Sequence, residues 1–291
     1  MNTLVIGGTG TVGSEVVRQL VAQTGIEVSV MTRDADKSKN VPPEAVGTVG
    51  DLRDPYAARS SFRGVDAVFM LNGASVSEAY EGLMGVLLAR QAGVKRFVYM
   101  STHRADLTPF LPIGGGTKLS IENALKVSGI PYTILRPNNF FQNDRWYKDS
   151  MIEEGIYPQP IGLVGMQRVD VRDIAEAAVL ALTSAGHEGK TYNLIGPRVE
   201  TGPSSAEAWT DALHTAIKYG GNDLEVFERT HMFMGPSLVF AYRNFYEFYQ
   251  QHGLVGTADD LQTMTELLGH PPRSLREFAK ETAEHWAVTS A

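Results

Sequence analysis

The chain has no cysteine, which removes disulfides, thiolate nucleophiles and cysteine-based zinc or iron–sulfur centres. No block of Lys and Arg occurs either. Basic residues number 26 against 33 acidic ones, a formal net charge of −7, so no surface run tracks a phosphate backbone and direct nucleic-acid binding is not expected. No uncharged apolar run is long enough to cross a bilayer, and the first residues read as a strand rather than a charged n-region, apolar stretch and cleavage site. A soluble, cytoplasmic protein with neither export signal nor anchor is expected. No G-x-S-x-G elbow accompanies any serine, histidine and aspartate set, which argues against a serine hydrolase. Internal repeats and low-complexity tracts are absent too. What is present is 291 residues with 43% hydrophobic content, enough to bury a large core in one enlarged domain or two unequal ones.

The most informative stretch is the opening. Leu4-Val5-Ile6 runs into Gly7-Gly8-Thr9-Gly10-Thr11-Val12-Gly13 and then into a helical pattern. An apolar strand followed by Gly8-x-Gly10-x-x-Gly13 supplies a tight turn, close approach of backbone to a pyrophosphate and a helix-to-sheet contact. The pyrophosphate would meet a helix N-terminus, where unpaired N–H groups favour negative charge. Gly7, Thr9, Gly10, Thr11, Val12 and Gly13 are therefore candidate dinucleotide contacts. A ligand-free tight turn is the bland alternative.

Apolar runs and helical patterns then alternate. Strands are expected at residues 4–6, 27–32, 46–49, 67–71, 96–101, 132–135 and 191–195, and helices at 12–23, 55–62, 77–92, 118–127 and 171–183. That alternation predicts an α/β fold, a doubly wound parallel sheet of Rossmann type, with a smaller, mostly helical C-terminal substrate region. The expected division is an NAD(P)-binding domain over 1–196, with 140–168 lining the substrate cleft, and a cap over 197–291. In the cap, Ser204 with Glu207 and Ser274 with Glu277 match capping boxes, Gly269 marks a helix stop, and residues 224–227 read as a short strand. Residues 238–249 carry more aromatics than one core-facing stripe needs. Core packing with a subunit contact is one use, which keeps a homodimer open, and Phe245 lining a substrate cavity is another.

At the end of the second strand stands Thr32-Arg33. An acidic residue there would accept from a ribose 2′-OH, whereas a guanidinium pairs with a 2′-phosphate, so Arg33, helped by Lys37 and Lys39, favours NADP(H) with NAD(H) still admissible. Asp34 and Asp36 lie nearby, and a solvated turn of mixed charge is the competing reading. At the end of the fifth strand, Ser101, Thr102 and His103 reach the sheet edge where open α/β folds bind ligands. Imidazole titrates near neutrality, which makes His103 a candidate proton donor, against the reading of a surface loop histidine. Ser101 and Thr102 are candidate hydrogen-bonding partners for the nicotinamide or a substrate oxygen, against the reading of hydroxyls that cap a turn at a strand end.

Several stretches together resemble the NmrA-like branch of the atypical short-chain dehydrogenase/reductases: residues 7–13, Thr32-Arg33, Gly50-Asp51-Leu52, Ile134-Leu135-Arg136-Pro137-Asn138-Asn139-Phe140-Phe141 and Val169-Asp170-Val171-Arg172-Asp173-Ile174-Ala175. Looser similarity continues through 191–194 and 260–278. The motifs specify fold and cofactor better than reaction, since members include NAD(P)H-dependent reductases of quinones, dyes and other small conjugated molecules and also proteins that bind the cofactor to sense redox state. The resemblance implies Asp51 and Leu52 near the adenine, with Asp51 otherwise only the N-cap of the following turn. It also implies Leu71-Asn72-Gly73 beneath the ribose and pyrophosphate. By the same resemblance Pro137, Asn138 and Phe140 are expected to close over the nicotinamide, with Phe141 and Trp146 extending an apolar wall; the alternative is that both phenylalanines fill the seam between domains. Lys118 occupies the lysine position of the Tyr-x-x-x-Lys pair, but four residues earlier stands Gly114, not tyrosine. A ribose-binding Lys118 and a solvated helix-surface lysine are the two readings. The expected function is NADPH-dependent hydride transfer to a small conjugated or aromatic acceptor, with no metal; the alternative is a non-catalytic NADP-binding sensor.

Overall fold

The structure, a computed structural model, describes residues 1–289. Along the chain the strands are β1 (Asn2–Ile6), β2 (Glu27–Thr32), β3 (Ala45–Val49), β4 (Ala67–Met70), β5 (Arg96–Met100), β6 (Tyr132–Pro137), β7 (Ile156–Tyr157), β8 (Lys190–Leu194) and β9 (Lys218–Tyr219). The helices are α1 (Thr11–Val21), α2 (Ala35–Lys39), α3 (Pro55–Ala58), α4 (Glu78–Ala92), α5 (Gly115–Val127), α6 (Val171–Thr183), α7 (Gly202–Leu213), α8 (Leu224–His231), α9 (Pro236–His252), α10 (Ala258–Leu268) and α11 (Leu275–Thr289). They form two units, each built from two stretches of chain: 1–137 with 174–193, and 138–173 with 194 onward. The units change over at three points, after 137, 173 and 193, where the sequence reading expects one, after 196.

The first unit is a seven-stranded sheet in the order β3-β2-β1-β4-β5-β6-β8. From β3 to β6 every neighbouring pair is parallel. Its central strands are continuous apolar runs because both faces are covered: Leu4, Val5, Val68, Phe69, Phe97 and Val98 have no exposure at all, the pattern of a doubly wound sheet. α1 packs Val12, Val16, Val17 and Leu20 against it, one helical stripe. β1 lies between β2 and β4, so the direction of winding reverses there. The crevice beyond the carboxyl ends of β1 and β4 is the switch point at which such sheets bind ligands.

The second unit is mostly helical, with β7 and β9 as a two-residue parallel pair. Its core gathers Phe141, Tyr157, Trp209, Phe278 and Trp286. At the centre lies a buried ion pair, Arg168 Nη2 to Asp144 Oδ1 at 2.6 Å, with neither side chain exposed. Trp209 Nε1 donates to Asp144 Oδ2 at 2.9 Å and Arg168 donates to the Phe140 carbonyl at 2.8 Å. The Tyr157 hydroxyl lies 2.9 Å from Asp144 Oδ1, and burial drives its pKa well above the ordinary tyrosine range. Every polar group of the pair is thus matched, the condition under which a buried charge is tolerated.

Two local expectations are corrected. Residues 224–227 begin a helix, α8, not a strand, because the Asp223 carboxylate caps it by accepting from the Glu225 and Val226 amides. The capping box expected at Ser204 starts three residues earlier: Thr201 is the cap of α7 and Ser204 its reciprocal partner. Ser274 with Glu277 forms the expected box, Gly269 ends α10 in the left-handed region, and Thr257 with Asp260 forms a further box at the start of α10. No described helix is long and apolar enough to cross a membrane.

Candidate active site

The glycine loop shows which glycines the protein itself needs. Gly7 has φ +84°, and a Cβ there would stand 2.5 Å from the Leu71 carbonyl oxygen. At Gly13 a Cβ would run into the Gly7 carbonyl, far inside contact distance. Both are fixed by the close approach of α1 to β1 and the β4 exit. Gly10 is different. Its backbone is extended, φ −90° and ψ 175°, and a Cβ would meet only the Gly7 oxygen at 3.5 Å. Nothing in the fold requires glycine there, so the space above it is kept for something else. Gly10 is also the N-cap of α1, with no side-chain cap and no acidic residue in the first turn. The helix therefore offers bare N–H groups at Thr11 and its neighbours to an anion, while Val12 turns into the core.

Gly7, Thr9, Arg33, Leu52, Leu71 and Asn72 line one cavity at this end of the sheet, with Gly73 and Glu81 beside them. Asn72 is 4% exposed, and neither its Nδ2 nor its Oδ1 has a hydrogen-bond partner among the described residues. A buried, unsatisfied carboxamide at a cavity wall is costly unless a ligand completes it. Gly73 has nothing within 4 Å of a Cβ position. Unfilled backbone space at Gly10 and Gly73 and the open amide of Asn72 together fit a ligand bearing phosphate and ribose.

Two of the expected adenosine contacts sort differently. Leu52 lines the cavity, but Asp51 is drawn away by Arg53, Oδ2 to Nη2 at 2.6 Å, and that hydrogen bond holds its carboxyl below the usual range. Its carboxylate also accepts from the Arg53 amide at 2.9 Å and so caps the 51–54 turn, while Asp54 caps α3 by accepting from the Tyr56 and Ala57 amides. Arg33 does line the cavity, and it meets Glu81 there, Nη1 to Oε1 at 3.9 Å.

Lys118 is not a solvated surface lysine. It is 7% exposed, its Nζ lies 2.9 Å from Glu78 Oε1, and it donates to the Asn72 carbonyl at 3.2 Å and the Met100 carbonyl at 3.4 Å. Lys118 thus ties α5 to the wall of the cavity through Asn72. Glu78, fully buried, also accepts from the Gly114 amide at 3.0 Å and the Thr117 hydroxyl at 2.5 Å, capping α5 from α4. One turn on, Glu122 accepts from Ser101 Oγ at 2.6 Å and from Arg136 at 2.9 and 2.6 Å. The Ser101 proton is therefore committed inward, to Glu122. Tyr99, beneath Lys118, has its phenol pushed well above the ordinary range by burial and then by Glu78 and Glu122. Thr102 is half-buried. His103 is 3% exposed, its amide donating to the Pro137 carbonyl at 2.9 Å, so the surface-loop reading is corrected.

In the second unit the expected nicotinamide side is largely structural. Asn138, 2% exposed, donates its side-chain amide to the Leu254 carbonyl at 2.7 Å. Phe141, 1% exposed, stacks on Phe278 at 5.8 Å and under the Arg168 guanidinium at 5.7 Å; it is a core ring rather than an open wall. Phe140 is half-buried, Trp146 is 63% exposed, and the half-buried Phe245 stacks on Tyr249 at 6.1 Å. Sequence reasoning missed Glu78, Glu81, Glu122 and the Asp144–Arg168 pair, each defined by a partner far along the chain.

Comparison with known proteins agrees with this geometry. A family model described as NAD(P)H-binding matches residues 7–185. The chain is 35% identical over 285 residues to the NAD(P)H azoreductase of Xenophilus azovorans, covering 96% of this chain and 97% of that one. The fold is similar to the NADPH-dependent quinone oxidoreductase of Escherichia coli complexed with NADPH, with TM-score 0.82 and 25% identity over 98% and 99% of the two chains. The triphenylmethane reductase of Citrobacter complexed with NADP(H) gives TM-score 0.81 and 25% identity over 97% and 100%.

Proposed function

Because the chain belongs to the NAD(P)H-binding family, in the NmrA-like branch of the atypical short-chain dehydrogenase/reductases, we propose that it is an NADPH-dependent reductase of small conjugated or aromatic acceptors of the quinone and azo- or triarylmethane-dye kind. The observation that carries the reading is the 35% identity to an NAD(P)H azoreductase along 96% of the chain. When bound, NADPH supplies the hydride. The chain supplies placement: the N–H groups of α1 and the space at Gly10 take the pyrophosphate, Arg33 takes the 2′-phosphate, and Asn72 and Lys118 hold the ribose side.

The lysine acts without the tyrosine that usually stands four residues before it, since Gly114 occupies that place. Its ammonium, anchored by Glu78 at 2.9 Å, orients rather than donates. His103, three residues beyond the end of β5, is the side chain we assign as proton donor to the acceptor. A cytoplasmic setting suits the cofactor.

NADPH oxidation measured against a panel of quinones, azo dyes, triarylmethane dyes and enones tests the reading. The expected result is turnover only with an acceptor present, saturable in it, with deuterium passing from one face of labelled nicotinamide into product. Lys118→Ala should weaken NADPH binding and turnover together, because a positioning group acts in both. No turnover across the panel, combined with NADPH binding that shifts affinity for another protein, would replace the reductase by a sensor.

A further inference from the structure

We infer that Glu81 sets the choice between NADPH and NADH, as a carboxylate brought from α4 into the cavity where it opposes Arg33. The inference deepens the proposed cofactor use and rests on it.

Arg33 and Glu81 line the same cavity and pair at 3.9 Å. The two partners are unequal. The Glu81 side chain is 14% exposed and Arg33 59%, and Ser77 Oγ donates to Glu81 Oε1 at 2.6 Å, so the carboxylate is the fixed member and the guanidinium the movable one. The other charges at the cavity are accounted for: Asp34 is committed to the Asp36 and Lys37 amides as the cap of α2, and Lys37 is the remaining cation. Arg53 acts on Glu81 only from a distance while bonded to Asp51.

The chemistry of the two side chains is opposite. A carboxylate accepts from a ribose 2′-OH, and a guanidinium pairs with a 2′-phosphate. A site with arginine alone would exclude neither cofactor by repulsion but would strongly reward the phosphate. Here a phosphate must draw Arg33 off Glu81 and then sit near a fixed negative charge, so Glu81 narrows the preference for NADPH and keeps NADH admissible.

Dissociation constants for NADPH and NADH, measured by calorimetric titration, read this without any turnover. Glu81→Gln keeps the side-chain size and its bond to Ser77 while removing the charge, and should raise the NADPH-over-NADH affinity ratio by about three- to fivefold, the size of a partly screened charge pair. Arg33→Ala should lower the ratio, and adding Glu81→Gln to it should recover part of the loss by lifting the repulsion. The Glu81→Gln effect should shrink in high salt. A ratio unchanged from wild type in Glu81→Gln, and unchanged from Arg33→Ala in the double variant, overturns the inference. Wild-type protein that binds neither dinucleotide overturns the cofactor reading, and the inference with it, whereas the expected ratios without acceptor reduction overturn only the reductase.

Discussion

Glycines 10 and 13 stand three positions apart in one motif, yet the structure gives them separable duties. Gly13 leaves no room for a Cβ beside the Gly7 carbonyl, whereas Gly10 has ordinary space and an extended backbone. Gly10→Val should therefore abolish NADPH binding in a titration while the melting temperature stays within a few degrees of wild type, a change of about 0.5 kcal/mol or less. Gly13→Val should lower the melting temperature steeply, because backbone must move. A Gly10→Val protein that still binds NADPH would dismiss the loop as the pyrophosphate site. The loop and Arg33 were legible in the sequence because each is a local pattern at a strand end. Glu78 and Glu81 were not, since what gives them meaning is Lys118, 40 positions away, and Arg33, 48 positions away, brought near only by the packing of α4.

Among the elements, α8 shows why the helical half was harder to read. Three apolar residues in a run of four, Leu224, Val226 and Phe227, look like a strand until the Asp223 cap is recognised. Likewise Asp144 and Arg168 lie 24 positions apart on segments with no periodic signal, and only their meeting in the core reveals them. Asp144→Asn should cost about 3 kcal/mol or more, read as a lower urea midpoint, because Arg168 is left buried without its counter-charge. Replacing both by neutral residues should cost less than that single change.

The turn joining α6 to β8 makes a second prediction. His187 sits there, 3.0 Å from Ser184 Oγ and 2.9 Å from the Tyr192 hydroxyl. Burial, followed by Lys190, lowers its pKa below the ordinary 6.5. The unfolded chain therefore binds the proton more readily than the folded one. Its stabilising contribution is present above pH 6.5 and is lost as pH falls below it. Thermal melts between pH 7.5 and 5.5, roughly one unit to either side of the unperturbed histidine pKa, should show wild type losing more stability on acidification than His187→Gln. Parallel curves would remove His187 as a contributor.

For the molecule as a whole, the doubly wound sheet was legible because alternating apolar runs and helical stripes admit few topologies. The exchange of segments between two units was not, since composition does not change at 137 or 173. All the cavity residues lie in the first unit, so NADPH should stabilise that unit selectively. At about 100 times its dissociation constant the gain is ~2.7 kcal/mol, and hydrogen exchange should slow at residues 7–13 and 71–73. Uniform slowing with no focus on those segments would place the ligand elsewhere.

The path of the chain through the two units also governs how the protein is made. Every residue that lines the cavity has been made by Glu81, but the strand that flanks β6 arrives only with residues 190–194, after the 138–173 excursion. On the ribosome the sheet therefore waits with β6 as a bare edge while more than 50 residues, between Pro137 and Lys190, are added. At about 5–20 residues per second that interval lasts several seconds. During it, β6 can be extended by the equivalent strand of a neighbouring nascent chain, and a strand exchanged at that moment would yield an intertwined pair of polypeptides.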